Sequence, residues 1–342
     1  MAKVLIYGAG SIGSFFGYLL SEVVVGDGGK EENRTPIVEN VALLGRRGHI
    51  GKIREKGLEV ALTEGDIPLS IRFRYTFADL DELARSEFVP EVVVVTVKTP
   101  SLTAIAKEIK ESGLLANKLS DAWFVLLMNG MGNRERFDLP DDRIFEGITS
   151  IGVVFSGEGG IELKGRGKTV FEAEIGEDLK EFLEVRLSEK GFVAEFAVDF
   201  RAQQWMKLFA NAVINPITAL TREKNGIVLS EHLAGVVETI VGECVAVAEK
   251  EGQKFDEREV LKFVRNVAKE TSANTSSMLQ DVLRGRWTEI DSINGYIFDI
   301  AAKHDTKVLA NEMLCRLVKA IETRETKVAA SDRLPRNVKV KG

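Results

Sequence analysis

The stretch Val4-Leu5-Ile6-Tyr7-Gly8-Ala9-Gly10-Ser11-Ile12-Gly13 decides the fold. Residues 4–7 are a short apolar run of strand formers. Glycines then stand at 8, 10 and 13, and an apolar, helix-like stretch follows to about residue 20. Strand, glycine turn and helix in that order open a βαβ unit. The chemistry asks for glycine at these places because a backbone without Cβ can approach a pyrophosphate closely. The helix start adds free N–H groups and positive potential. Gly8, Ala9, Gly10, Ser11, Ile12 and Gly13 are therefore the first candidate cofactor-binding residues. A glycine turn of this kind also occurs structurally in other α/β proteins; its place on the first strand of the chain favours the dinucleotide reading.

Working outward, a polar segment at 26–40 reads as a loop insertion, and 41–44 as a second buried strand ending in Gly45-Arg46-Arg47. Residues 92–97 are continuous and β-branched, as parallel strands covered on both faces tend to be. Residues 123–128 form another such run, ending in Asn129-Gly130-Met131-Gly132. From 147 to 175 apolar runs alternate with glycines, which suggests an antiparallel meander closing the first domain. Beyond about 196 strand signals nearly vanish. Helical periodicity marks 203–220, 230–252, 257–283, 288–304 and 311–325. The expected architecture is α/β: an N-terminal Rossmann-type dinucleotide-binding domain over 1–195, an all-helical substrate and catalytic domain over 196–326, and a basic, solvated tail over 327–342.

Bulk properties agree. The 342 residues suffice for two cores, with 44% hydrophobic and 29% charged residues. A net charge of −6 does not suit a nucleic-acid binder. Two distant cysteines, Cys244 and Cys315, exclude a disulfide framework and a Cys-based zinc site, and they suit a reducing cytoplasm. No apolar run approaches a membrane span, and Gly8, Gly10 and Gly13 interrupt the only stretch resembling a signal peptide. No metal and no membrane partner is expected. Oligomeric state is not legible; the helical domain is apolar enough for a homodimer.

The nicotinamide cofactor turns on the second strand. If 23–25 were that strand, Asp27 would sit about 20 residues past the first glycine and favour NAD. If 41–44 is that strand, Arg46 and Arg47 end it and favour the 2′-phosphate of NADP. The second register is preferred, because a crossover helix needs roughly 10 residues or more before the chain returns. Lys98, after the 92–97 run, adds a cation at the same sheet edge, while Arg47 reads equally as a surface charge. NADPH is the expected cofactor, with NADH the alternative.

In the helical half, Lys207, Asn211 and Asn215 stand at i, i+4 and i+8 and line one helix face. An ammonium and two carboxamides flanked by Trp205, Met206, Ile214 and Ile217 suggest a stripe facing a cleft rather than solvent. Pro216 is expected to kink or end that helix, and Asn225-Gly226 marks a turn. Later come Asn274, Ser276 and Ser277, then Thr288-Glu289-Ile290-Asp291. There Thr288 and Asp291 read as a capping box, and Glu289 as a first-turn acid or a functional carboxylate.

Taken in order, Gly-Ala-Gly-Ser-Ile-Gly, Asn129-Gly-Met-Gly, Lys207-Leu-Phe-Ala-Asn211-Ala-Val-Ile-Asn215-Pro-Ile-Thr-Ala, Ser276-Ser277-Met-Leu-Gln-Asp and Thr288-Glu289-Ile-Asp-Ser-Ile-Asn294-Gly295 resemble the ketopantoate reductase family. The resemblance runs from the first strand to about Glu325. The segment between Ser21 and Val41 departs from it, being longer than the family's turn, and so does the basic tail. It implies reduction of the 2-oxoacid 2-dehydropantoate to D-pantoate with NADPH, on the way to pantothenate and coenzyme A. It implies Lys207 as proton donor to the carbonyl, and Glu289 as a catalytic-site group bonding cofactor or substrate oxygen. Asn129 would lie near nicotinamide and substrate, with Lys98 and Val153 on the cofactor. Asn211, Asn215, Asn225, Asn274 and Ser277 would hold the small-molecule substrate. Burial of Lys207 would lower its pKa and a nearby Glu289 would raise it. Two readings compete: another 2-oxoacid or β-hydroxyacid reductase on the same two-domain plan, and a non-catalytic dinucleotide sensor. A lactate-type site is disfavoured, since His49, His232 and His304 adjoin no carboxylate in a strand-end context.

Overall fold

A computed structural model describes residues 2–22, 37–63, 65, 67–137, 139 and 141–332. The chain divides into two compact units. One comprises residues up to Met128 together with Asn133–Phe200; the other joins Asn129–Gly132 to the residues from Arg201 onward.

The first unit is built on β1 (Val4–Tyr7), β2 (Ile37–Leu44), β3 (Leu58–Ala61), β4 (Leu69–Phe77), β5 (Val92–Val95), β6 (Trp123–Leu126), β7 (Ile144–Thr149), β8 (Gly152–Gly157), β9 (Gly160–Gly165), β10 (Lys168–Glu172) and β11 (Val193–Ala197). Helices α1 (Ser11–Leu19), α2 (Arg47–Lys56), α3 (Leu80–Arg85), α4 (Leu102–Glu111), α5 (Asn133–Phe137) and α6 (Glu177–Ser188) accompany them. The sheet order is β11-β10-β7-β6-β5-β1-β2-β4-β3-β9-β8. β1 lies between β2 and β5, parallel to both, with Val4 beside Val41 and Val92. Alternation along these strands supplies two cores. Val4, Ile6, Val41, Leu43, Val92 and Val94 face one side, and Leu5, Tyr7, Ala42, Leu44, Val93 and Val95 face the other. Helices cover both faces, so the paired central stretches 4–7, 41–44 and 92–95 carry no charged or amide side chain and read as unbroken apolar runs.

Several expectations are corrected here. Residues 37–40, read as loop, are the first half of β2, with an irregularity against β4 between Val38 and Ala42. The competing second strand at 23–25 and most of the insertion, 26–36, lie outside the described residues. The stretch 147–175 is not one meander. β7 and β10 pair near one end of the sheet, while the β8–β9 hairpin joins β3 at the other. Position 195, taken as the division, falls inside β11, which pairs with β10 in the first unit. A meander and a split hairpin have the same local alternation; only long-range pairing separates them.

The second unit is helical: α7 (Phe200–Thr221), α8 (Ala234–Lys250), α9 (Glu257–Glu270), α10 (Ser277–Leu283), α11 (Asn294–Lys303) and α12 (Leu309–Asp332). Its core gathers Trp205, Phe209, Val213, Ile240, Val247, Val264, Ile297 and Val318, all fully buried. Pro216 does not end α7, which continues to Thr221. The 257–283 stretch is two helices, with Ser276 capping the second by accepting from Leu279 N at 3.1 Å. Residues 288–293 are not helix but a short 3₁₀ turn at Ile290–Ser292. The expected capping box is replaced by Thr288 Oγ1 accepting from Ile290 N and by an Asp291–Lys319 ion pair. Residues 327–332, assigned to the tail, continue α12; 333–342 lie outside the described residues. Among the described residues no helix is long and apolar enough to cross a membrane.

Candidate active site

The glycine turn of the first unit divides its labour among three positions. Gly8 has φ +109°, a region open to glycine, and a Cβ there would press on Val97 at 2.7 Å. Its N–H and that of Ala9 both donate to Leu44 O at 2.9 Å, and Thr96 Oγ1 donates to Gly8 O at 2.9 Å. The turn is thus pinned to the ends of β2 and β5. A Cβ on Gly13 would overlap Gly8 O and Thr96 Oγ1, so this glycine lets α1 pack against the strand ends. Gly10 differs: its nearest neighbour for a Cβ is Gly8 O at 3.8 Å, leaving that side open. Gly10 is the N-cap of α1 and no side chain caps the helix, so its first-turn N–H groups have neither an intrahelical acceptor nor a side-chain cap. Tight turn, open approach and close packing are the three glycine roles of a dinucleotide fingerprint, and these residues fit a pyrophosphate.

Arg46 follows β2, exposed, at the N-cap of α2. Arg47, its neighbour, is held by Asp79 at 3.2 Å on the surface. Lys98, half-buried, follows β5 at the start of a 3₁₀ turn. Val153 on β8 packs with Ile12 against the core under α1. The structural role of His49 carried no signal in the sequence. It is buried, accepts from Gly159 N at Nδ1 (2.9 Å) and meets Ser14 Oγ at Nε2 (3.0 Å). A donor at Nδ1 leaves the ring hydrogen on Nε2, so the imidazole donates to Ser14. Burial, with the Arg46 charge second, pushes its pKa down to about 4. This neutral histidine ties α2, α1 and the hairpin together.

The second unit holds the other residues. Gly130 stands at φ +79° with Ser292 directly against it, and Met131 N donates to Ser292 O at 2.9 Å. That docking presents Asn129, whose Nδ2 donates to Glu289 Oε2 at 2.9 Å. Glu289 is 6% exposed. Its segment is fixed from α12, where buried Glu322 accepts from Thr288 N at 2.6 Å. Burial raises the Glu322 pKa, and the bonds from Thr288 oppose that rise. Lys207, largely buried on α7, has its pKa pushed down to about 8 by burial, while the Glu289 carboxylate pulls it upward. The two opposing effects foreseen from sequence are both present, and burial wins. Lys207, Glu289 and Asn129 form one electrostatic group.

Asn211 and Asn215 continue the Lys207 face, Asn215 only 6% exposed. Asn225 is buried, donates from Nδ2 to Thr271 Oγ1 at 3.0 Å, and takes Asn274 O on its backbone N–H at 3.0 Å. Asn225 Oδ1 is buried without a partner among the described residues. Asn274 is exposed ahead of α10, and Ser277 is exposed as its first residue. His304 does meet a carboxylate, Glu251, at 3.0 Å, but at two helix ends rather than a strand end. Among the described residues no three His, Cys, Asp or Glu side chains group as metal ligands.

Comparison with known proteins bears on these residues. The family model described as "Ketopantoate reductase PanE/ApbA" matches residues 4–174, and its C-terminal counterpart matches 199–322. A 2-dehydropantoate 2-reductase of Pyrococcus horikoshii is 31% identical over 328 residues, covering 94% of this chain and 98% of the relative. A crystal structure of a PanE/ApbA family ketopantoate reductase from Ralstonia eutropha JMP134 superposes with TM-score 0.78 at 26% identity, covering 94% and 99% of the two chains. D-mandelate dehydrogenase with NADH and anilino(oxo)acetate shares the fold with TM-score 0.78 at 24% identity, over 94% and 98%. Glycine turn, buried lysine and matched models converge: this chain is an oxidoreductase of the ketopantoate reductase family.

Proposed function

We propose that the chain reduces 2-dehydropantoate to D-pantoate with NADPH, Lys207 serving as proton donor. The observation that carries this reading is the buried amine with pKa about 8 beside a Glu289 held by Asn129. When bound, the reduced nicotinamide supplies the hydride. The chain supplies the rest. Gly8, Ala9, Gly10, Ser11, Ile12 and Gly13 hold the pyrophosphate, Arg46 the 2′-phosphate, and Lys98 and Val153 further parts of the dinucleotide. As negative charge builds on the keto oxygen, the Lys207 ammonium stabilises it and then releases its proton to it. Glu289 keeps enough of the amine protonated near neutrality. Asn211, Asn215, Asn225, Asn274 and Ser277 are assigned to the substrate's carboxylate and hydroxyl. Asn225 Oδ1, buried and unsatisfied, suits a hydroxyl donor from a ligand.

The direct test follows loss of reduced-nicotinamide absorbance with ketopantoate and with other 2-oxoacids. Preference for another 2-oxoacid would reassign the substrate; consumption with none would leave a binding protein. Arg46→Ala should raise the KM for NADPH about ten- to hundredfold, the value of one charged hydrogen bond, and leave that for NADH nearly unchanged. Equal effects on both cofactors would remove Arg46 from the 2′-phosphate. Glu289→Gln withdraws the charge that raises the Lys207 pKa. The alkaline limb of the kcat profile should therefore move to lower pH, because the acid form is lost sooner. An unmoved limb would uncouple the two residues.

Self-association is part of the same proposal. A structural relative from Staphylococcus aureus is described as a dimeric ketopantoate reductase. Leu309, Met313 and Leu317 of α12 are exposed at i, i+4 and i+8. Light scattering should give twice the chain mass; a monomer at working concentration would discard the dimer.

A further inference from the structure

Proline in the middle of a helix removes one N–H, so the carbonyl four residues earlier loses its donor. In α7 that residue is Pro216 and the carbonyl is Ala212 O. The carbonyl sits in the turn between Asn211 and Asn215, one turn beyond Lys207. It is not left bare. Asn294, the first residue of α11 and fully buried, donates from Nδ2 to Ala212 O at 2.9 Å. The second hydrogen of the same amide goes to Asn311 Oδ1, also at 2.9 Å.

The orientation of both amides is dictated from further out. Asn311 Nδ2 donates to Glu243 Oε2 at 2.8 Å and to Ile240 O at 3.4 Å, both acceptors. Its Oδ1 must then face Asn294, which turns the Asn294 NH₂ toward both Asn311 and Ala212. Glu243 in turn accepts from the backbone N–H groups of Ala310 and Asn311, fixing the start of α12. The chain of bonds joins α8, α12 and α11 to one carbonyl of α7. Both bonds of the Asn294 side chain run through its NH₂, Oδ1 having no partner among the described residues, and losing a member of such a buried set leaves the remainder unpaired.

We propose that Asn294 is a positioning residue of the active-site helix, replacing the hydrogen bond that Pro216 forbids and so holding Lys207, Asn211 and Asn215 in register on one face of α7. This rests on the assignment of Lys207 as the acid. Among the described residues the Asn294 side chain donates to Ala212 O and Asn311 Oδ1, and it acts through the Ala212 carbonyl. The two residues compensate one another, so substituting both restores what substituting Asn294 alone removes.

A four-corner comparison of native protein, Asn294→Ala, Pro216→Ala and the double variant tests this. Two readouts are taken: kcat and KM for ketopantoate, and titration of the Lys207 amine by NMR of ¹³C-methylated lysines, assigned with Lys207→Arg. Asn294→Ala should lower kcat/KM about tenfold or more, as small misplacements of catalytic groups do, and displace the Lys207 titration. In the double variant, residue 216 regains an N–H for Ala212 O, and both readouts should return to within about threefold of native rate and to the native titration. Pro216→Ala alone should stay near native. If Asn294→Ala fails to fold, a folded double variant with the native titration supports the same conclusion. A folded Asn294→Ala with native titration overturns the proposal, as does a double variant no better than the single. Native protein inert toward every 2-oxoacid would instead defeat the reductase reading, and the titration arm would still decide the role of Asn294.

Discussion

Lys207→Met is expected to remove most of the reductase activity and to make the protein more stable. Loss of a general acid costs roughly 10²–10⁴-fold in turnover, while binding of the dinucleotide to the first unit should be unchanged. The stability gain follows from the depressed pKa. Folding lowers the amine from its ordinary 10.5 to about 8, so the folded state disfavours the charged form. At neutral pH that penalty is present in full, on the order of 3 kcal/mol at 1.36 kcal/mol per unit. It is relieved as pH rises from about 8 to 10.5, where the unfolded chain still binds the proton and the folded one does not. A methionine escapes that penalty, and the attraction of Glu289 is already contained in the lowered value, so a net gain of about 1–2 kcal/mol is expected. Thermal melts at pH 7 and pH 10 should show the variant's advantage shrinking at the higher pH. A variant with native turnover, or one whose melting point falls, would contradict the assignment of a strained, functional amine.

Two glycine substitutions should separate packing from cofactor approach. Gly10→Val points its side chain into space that the protein leaves open. The melting temperature should change little, and NADPH affinity should fall by about 100-fold or more, because the side chain takes the place of the pyrophosphate. Gly13→Val collides with Gly8 O and Thr96 Oγ1. It should destabilise the fold by about 1–3 kcal/mol through overpacking, with loss of binding as a consequence. Calorimetric titration with NADPH and thermal unfolding read the two effects independently. Native NADPH affinity in Gly10→Val would show that no phosphate lies against this turn.

Legibility differed by element for physical reasons. β1, β5 and the 41–44 half of β2 were plain because helices cover both faces and force continuous apolar runs, whereas Glu39 and Asn40 hid the first half of β2. β3 and β4 were missed: their alternating exposure and charged residues, such as Glu59, Arg72 and Arg74, look like a solvated segment. Pro216 was read as a break because the sequence shows the missing N–H but not the Asn294 side chain that replaces it. His49 carried no local pattern; its role comes from Ser14 and Gly159, which are 35 and 110 residues away. Glu289 entered as a candidate through the resemblance to a family, whereas the first turn of a helix inferred for it is a short 3₁₀ turn that it precedes.

The amino-acid order alone determined the glycine turn, the alternation that builds two cores on one sheet, and the i, i+4, i+8 stripe of Lys207, Asn211 and Asn215. Each is a short-range consequence of backbone period and side-chain size. Tertiary structure decided the protonation balance of Lys207, the Asn129–Glu289 bond, the placing of the β8–β9 hairpin, and the passage of α7 through its proline. Those depend on burial and on partners distant in the chain, and desolvation and hydrogen bonding take their size from the neighbours that folding supplies.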